Sequence, residues 1–172
     1  MKRLIPILFL TIFVFLSCRG KEEKVQTRSI DDQSLMEINK FLVEKDVELI
    51  QSYINRMNWE MTEDSTGFWY YIVERGNGEK LFNGDIITID YSESLLDGTL
   101  CTTTAGKEPR SFKLGYGEIT RGLDEGIAHM QVGDSARFIF PPNMAYGLAG
   151  DGSQIPARSV IICHVRLLSK LK

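Results

Sequence analysis

One segment with helical spacing, RGLDEGIAHMQVGD at 121–134, sits inside a chain whose other patterned stretches alternate like strands. Leu123, Ile127 and Met130 make its apolar stripe. Around it, Ile87, Ile89 and Tyr91 alternate with Thr88 and Asp90, and Ala136, Phe138 and Phe140 with Ser135, Arg137 and Ile139. A last strand sets Ile161, Cys163, Val165 and Leu167 against Ile162, His164 and Arg166. Strands with one apolar face need one cover. A single short helix supplies it only if the sheet curls around it, so the expected class is α+β with an antiparallel sheet. Asn77-Gly78, Asn83-Gly84 and Asp97-Gly98 punctuate the strands as turns.

The chain has 172 residues and a formal net charge of −3, with its Lys and Arg scattered. That length suits one ordinary domain plus appendages, and the charge pattern does not support a nucleic-acid footprint. Lys2 and Arg3 precede an apolar run from Leu4 to Leu16 that is too short for a membrane span, which needs ~20 residues, and reads as a secretory signal. Residues 1–17 are assigned to it. Cys18, directly after Leu16-Ser17, resembles the lipidation site of bacterial lipoproteins, which implies an acylated anchor in the cell envelope. Cys101 and Cys163 are then the cysteines left; neither lies in a CxxC pair and both histidines are remote from them, so no metal and no cofactor is expected.

Residues 18–66 are expected to hold a polar tether and an amphipathic helix. Leu35, Ile38, Leu42, Leu49, Tyr53 and Met57 recur at helical spacings behind Asp31 or Asp32 as N-cap. The apolar face of this 32–60 segment packs either on its own domain or against a second copy as a homodimer. TEDSTG at 62–67 is a polar break, and 67–172 is read as the main domain. Gly147 to Gly152 lacks the Lys-Ser/Thr and the strand-to-helix setting of a phosphate loop, so it is read as a flap.

From about Gly84 to Leu168 the chain resembles the FKBP-type peptidyl-prolyl isomerases. The resemblance rests on Asp90-Tyr91, Leu96-Asp97-Gly98-Thr99, Phe112-Lys113-Leu114-Gly115, Ile119 to Gly126, Met130 to Asp134, Ala145-Tyr146-Gly147, Ile155-Pro156 and Val165 to Leu168, in order. With the amphipathic helix, the lipidation motif and Gly67 to Tyr71, it is similar to the gliding-motility-associated lipoprotein branch. It implies a half-wrapped antiparallel sheet around one short helix, with an apolar pocket at one end. It also implies catalysis of X-Pro rotation, whose barrier of ~18–20 kcal/mol comes from amide resonance. A water-poor site favours the twisted, less charge-separated amide without acid, nucleophile or metal.

The resemblance places Tyr91, Tyr146 and Thr120 in the catalytic site, with the Tyr146 hydroxyl and the Thr120 N–H on substrate carbonyls. It places Leu100, Cys101, Ile119, Leu123, Ile155 and Cys163 around the bound proline. Cys101 stands for the family's usual aspartate, Leu123 for a tryptophan, Cys163 and Arg110 for phenylalanines, and Asp151 for a histidine. Trp69 and Phe68 are candidates to restore the lost aromatic area. Cys101 and Cys163 both map to the pocket floor, as free thiols or as a disulfide. Two functions fit. One is an envelope-anchored isomerase acting on proline-containing exported polypeptides; the other is a non-catalytic binding module or chaperone of a gliding or secretion machine.

Overall fold

The computed structural model describes residues 31–171. The expected signal segment, Cys18 and the tether up to residue 30 lie outside the described residues. Among the described residues, no helix is long and apolar enough to cross a membrane.

Helix α1, Asp32–Met57, opens where Asp31 accepts a hydrogen bond from the Ser34 N–H at 3.1 Å. It closes at Asn58, whose φ of 51° ends the helical path and lets the Trp59 N–H reach the Ile54 carbonyl at 3.1 Å. The buried stripe differs from the expected one. Ile50, Tyr53 and Ile54 are buried, whereas Leu35, Ile38, Leu49 and Met57 are exposed. Apolar residues lie on several sides of α1, so more than one helical stripe can be drawn through them, and the sheet selects the one it meets.

The sheet comprises β1 (Thr62–Glu63), β2 (Trp69–Glu74), β3 (Ile86–Leu95), β4 (Leu100–Thr103), β5 (Arg110–Lys113), β6 (Ser135–Phe140) and β7 (Ile161–Leu171). Its order is β1-β2-β6-β7-β3-β4, with β5 also on β3 and every pairing antiparallel. Helix α2, Arg121–Ile127, fills the concave side. The α+β architecture, with one short helix inside the sheet and a longer helix before it, is the one expected.

The inner layer sets Leu123, Ile127 and Met130 against Phe138, Phe140 and Val165. Gly122 and Gly126 make this approach possible: a Cβ on Gly122 would lie 2.5 Å from the Phe140 ring, and one on Gly126 2.9 Å from the Phe138 ring. The outer face is not uniformly polar, contrary to the single-cover expectation. Trp69, Ile139 and Ile162 stand side by side across β2, β6 and β7 and are covered by Ile50, Tyr53 and Ile54 of α1. Trp69 therefore serves the outer layer, while Phe68 packs inside against Phe138 and Phe140. The Arg158 guanidinium holds α1 down, donating to both Asp46 carboxylate oxygens at 2.9 and 2.8 Å and to the Leu42 carbonyl at 3.3 Å.

Candidate functional site

β3 changes partners along one edge, and this change positions the site. Ile86 to Ile89 pair with β5, whereas Ser92 to Ser94 pair with β4. Tyr91 sits at the switch: its N–H donates to Thr104 Oγ1 and its carbonyl accepts from the Thr104 N–H, both at 3.0 Å. The phenol turns inward, in step with Ile87 and Ile89. Its oxygen accepts a hydrogen bond from Arg110 Nη1 at 3.1 Å. The same guanidinium donates through Nη2 to the Glu118 carbonyl at 2.9 Å. Arg110 thus ties Tyr91 to the loop that leads into Ile119 and Thr120.

Two residues further along the same face comes Glu93, which is 2% exposed. It lies opposite Cys163 on β7 and Thr102 on β4. Tyr146 enters from the other side, carried by the 3-10 turn Pro142–Met144 that follows β6. Its hydroxyl donates to Glu93 Oε2 at 2.6 Å. Burial raises the Glu93 carboxyl above its ordinary value, opposed by the Tyr146 hydrogen bond and the attraction of Arg110. Burial and then the Glu93 carboxylate push the Tyr146 phenol far up, so it stays protonated and remains a donor.

The segment after Tyr146 forms a closed loop. Asp151 Oδ1 accepts from the Ile155 N–H at 2.7 Å and the Ser153 N–H at 2.9 Å, which hold its carboxyl below the usual carboxylate range. This seats Ile155, 3% exposed, under the flap. Cys101 faces the same loop, with its Sγ 3.9 Å from the Gln154 carbonyl. Both Cys101 and Cys163 are free thiols, the latter fully buried and shifted well up by burial.

The structure therefore brings Tyr146, Cys101 and Cys163 to one carboxylate, with Tyr91 two residues away on the same face of β3 and Ile155 in the loop that Asp151 closes. Leu123 is buried in the inner core and Ile119 packs against that core at its edge. Thr120 caps α2 by position, but its side chain makes no cap hydrogen bond and Oγ1 is buried without a partner. Leu100 does not join them. It pairs with Ser94, the neighbour of Glu93, so it lies on the other face of the sheet and is 56% exposed. Thr102, paired with Glu93, is the β4 residue on the inner face.

Three participants went unread in the sequence: Glu93, Thr102 and the reach of Arg110. A signal existed for the first, because the alternation Ile87, Ile89, Tyr91 continues in step to Glu93. A hollow of about 410 Å³ opens beside Ser92, Thr103, Lys107, His164 and Arg166, and Tyr91 contributes to its wall. Ser92 and His164 alternate away from Glu93, so most of its lining belongs to the opposite face. Among the described residues, no group of three or more His, Cys, Asp or Glu side chains is arranged to hold a metal ion.

The sequence profile of the FKBP-type peptidyl-prolyl cis-trans isomerases matches residues 77–168. FK506-binding protein 1 of Dictyostelium discoideum is 31% identical over 99 residues, covering 57% of this chain and 92% of that protein. Peptidyl-prolyl cis-trans isomerase Fkbp12 of Drosophila melanogaster is 39% identical over 87 residues, covering 50% and 81%. The match to FKBP-type peptidyl-prolyl cis-trans isomerase FkpA of Aeromonas hydrophila extends furthest along this chain of the three. It is 30% identical over 165 residues, 87% of this chain and 60% of that protein. The crystal structure of AtFKBP13 superposes with a TM-score of 0.63 at 26% identity, covering 65% of this chain and 99% of that one.

Proposed function

The chain belongs to the FKBP-type peptidyl-prolyl cis-trans isomerase family, and from that premise we propose that it turns X-Pro bonds at a site built on Tyr91, Tyr146 and Thr120, as an envelope lipoprotein acting on exported chains. The observation that carries the site is the Tyr146 hydroxyl on Glu93, opposite Cys163, with the Tyr91 phenol two residues along the same face of β3. A proline ring entering there meets apolar side chains, and its flanking carbonyls meet hydrogen-bonding groups. The Thr120 backbone N–H, at the head of α2, binds one carbonyl, and the Tyr146 hydroxyl another.

The physical gain is differential. The planar amide is the more charge-separated state, so removing it from water raises its energy relative to the twisted one. Hydrogen bonds aimed at carbonyls beside the rotating bond hold the substrate without stabilising its planar form. Each ~1.4 kcal/mol taken off the barrier gives a tenfold rate gain.

A cis–trans assay on a proline peptide, using the chain without residues 1–18, tests this. Acceleration above background is expected, and Tyr146→Phe is expected to lower kcat/KM about tenfold, the worth of one well-placed hydrogen bond. A wild-type chain that leaves the background rate unchanged refutes the site.

The envelope role is supported by the charged-then-apolar start and by Cys18. Cys18→Ser should move the protein from the membrane fraction to the soluble one; unchanged membrane association removes the anchor. The gliding-motility branch rests on the resemblance of Gly67 to Tyr71, the helix before it and the lipidation motif. The exposed Ile38, Phe41 and Leu49 of α1 support pairing with a second copy, which sedimentation of the Phe41→Glu variant against wild type decides.

A further inference from the structure

Among the buried carboxylates, Glu93 is held in an unusual way. Asp134, fully buried, is matched by Arg75 Nη1 at 3.0 Å and by the N–H groups of Gly76 and Gln131 at 2.7 and 3.1 Å, an arrangement that serves the fold. Asp85 caps the Phe82 N–H at 2.9 Å and lies 3.3 Å from Lys170 Nζ. Glu93 instead takes its shortest bond, 2.6 Å, from the phenol that the isomerase site assigns to the substrate. Every element around it contributes a polar or titratable group. β4 brings Thr102 and Cys101, and β7 brings Cys163. β5 brings Arg110, the flap brings Asp151, and Tyr91 stands beside Glu93 on β3.

A phenol has one hydrogen and two lone pairs, and an ionised carboxylate only accepts. While Glu93 is ionised, the Tyr146 hydrogen is committed to it. Tyr146 then has only lone pairs to turn toward a peptide carbonyl, and two acceptors repel. Once Glu93 takes up a proton, its own O–H can donate to the phenol oxygen, and the phenol hydrogen is released toward the pocket. One proton from solvent makes the exchange, and no bond to carbon changes.

We propose that Glu93 is a positioning residue for the isomerase reaction, its protonation state deciding whether Tyr146 donates to Glu93 or to the substrate carbonyl. The inference rests on the assignment of Tyr146 to the substrate. Burial and the nearby Asp151 carboxylate move the exchange toward neutral pH, while Arg110 and the Tyr146 bond pull it back.

The test measures kcat/KM and peptide affinity for a proline tetrapeptide between pH 4.5 and 8.5, in the full chain and in Glu93→Gln and Tyr146→Phe, with circular dichroism to verify folding at each pH. In wild type, kcat/KM should rise about three- to tenfold on acidification, the worth of one neutral hydrogen bond. Glu93→Gln, which carries no charge and offers a donor to the phenol oxygen, should be flat and close to the wild-type acid limit. Tyr146→Phe should be flat and low.

Activity that does not vary with pH in wild type, or a Glu93→Gln profile that keeps the wild-type shape, overturns the role of Glu93 and leaves the isomerase standing. Absence of turnover at every pH overturns the isomerase instead, and affinity then decides on Glu93. Tightening on acidification that Glu93→Gln abolishes supports the role, and a flat or absent affinity removes it. A misfolded Glu93→Gln leaves the comparison of wild type with Tyr146→Phe, where a shared pH slope likewise overturns it.

Discussion

At the scale of single residues, Glu93 also links the site to stability. Its carboxyl titrates above the ordinary glutamate value of 4.5 in the folded chain, chiefly because it is buried. Between that value and the raised one, the folded state binds more protons than the unfolded state. The favourable contribution is complete below the unfolded value and is lost as pH rises through the folded one. Above that window the ionised side chain is a net burden. Glu93→Gln should therefore match wild type near pH 4 and be the more stable of the two at pH 8. Urea midpoints at the two pH values measure the difference, and a gap that shrinks toward pH 8 contradicts it. Tyr91 and Tyr146 were legible because they sit inside ordered motifs. Glu93 and Arg110 were not, because a charged residue on an apolar face reads as an interruption until its partner is known. Arg110 reaches Tyr91 and the Glu118 carbonyl together, and that span depends on the fold rather than on spacing.

At the scale of elements, α2 is positioned by what it lacks. Gly122 leaves room for the Phe140 ring and for the Met144 carbonyl, which would lie 2.8 Å from an added Cβ. Both neighbours belong to the path from β6 to Tyr146, so packing at α2 sets where that phenol stands. Gly122→Ala should destabilise the chain by about 1–3 kcal/mol through overpacking. It should also raise KM for proline peptides, because the displaced turn carries Tyr146 with it. Thermal unfolding and steady-state kinetics on the same preparation check both; a stability loss with unchanged KM breaks the link between helix and turn. The strands and α2 were readable from period-two and helical spacing, since each has one strong pattern. α1 was readable as a helix but not in register. Its C-terminal turns dock through Ile50, Tyr53 and Ile54, while Ile38, Phe41 and Leu49 offer a second apolar stripe that faces solvent. Sequence periodicity does not choose between two such stripes, because the choice belongs to the surface they meet. The same holds for Leu100 and Thr102, whose faces are set by the irregular pairing between Glu93 and Ser94.

At the scale of the whole molecule, the outer layer asks where an independently folding unit begins. The polar break at 62–67 argues for a domain starting at residue 67, and the family profile begins at residue 77. The sheet, however, presents Trp69, Ile139, Val160 and Ile162 to α1, and Arg158 reaches across to Asp46. Removing α1 would take away Ile50, Tyr53 and Ile54 and leave four apolar side chains uncovered. At ~1.5–3 kcal/mol for each fully buried large side chain, the loss is about 5 kcal/mol or more. That equals much of the ~5–15 kcal/mol by which an ordinary domain is stable. A fragment of residues 67–172 should therefore melt well below residues 31–172 and bind a hydrophobic dye. Arg158→Ala in the longer chain should lie between them, because it loosens the helix without removing its apolar contacts. Equal melting temperatures for the two fragments would mean that the polar break is the true boundary and that α1 rests on the sheet without supporting it.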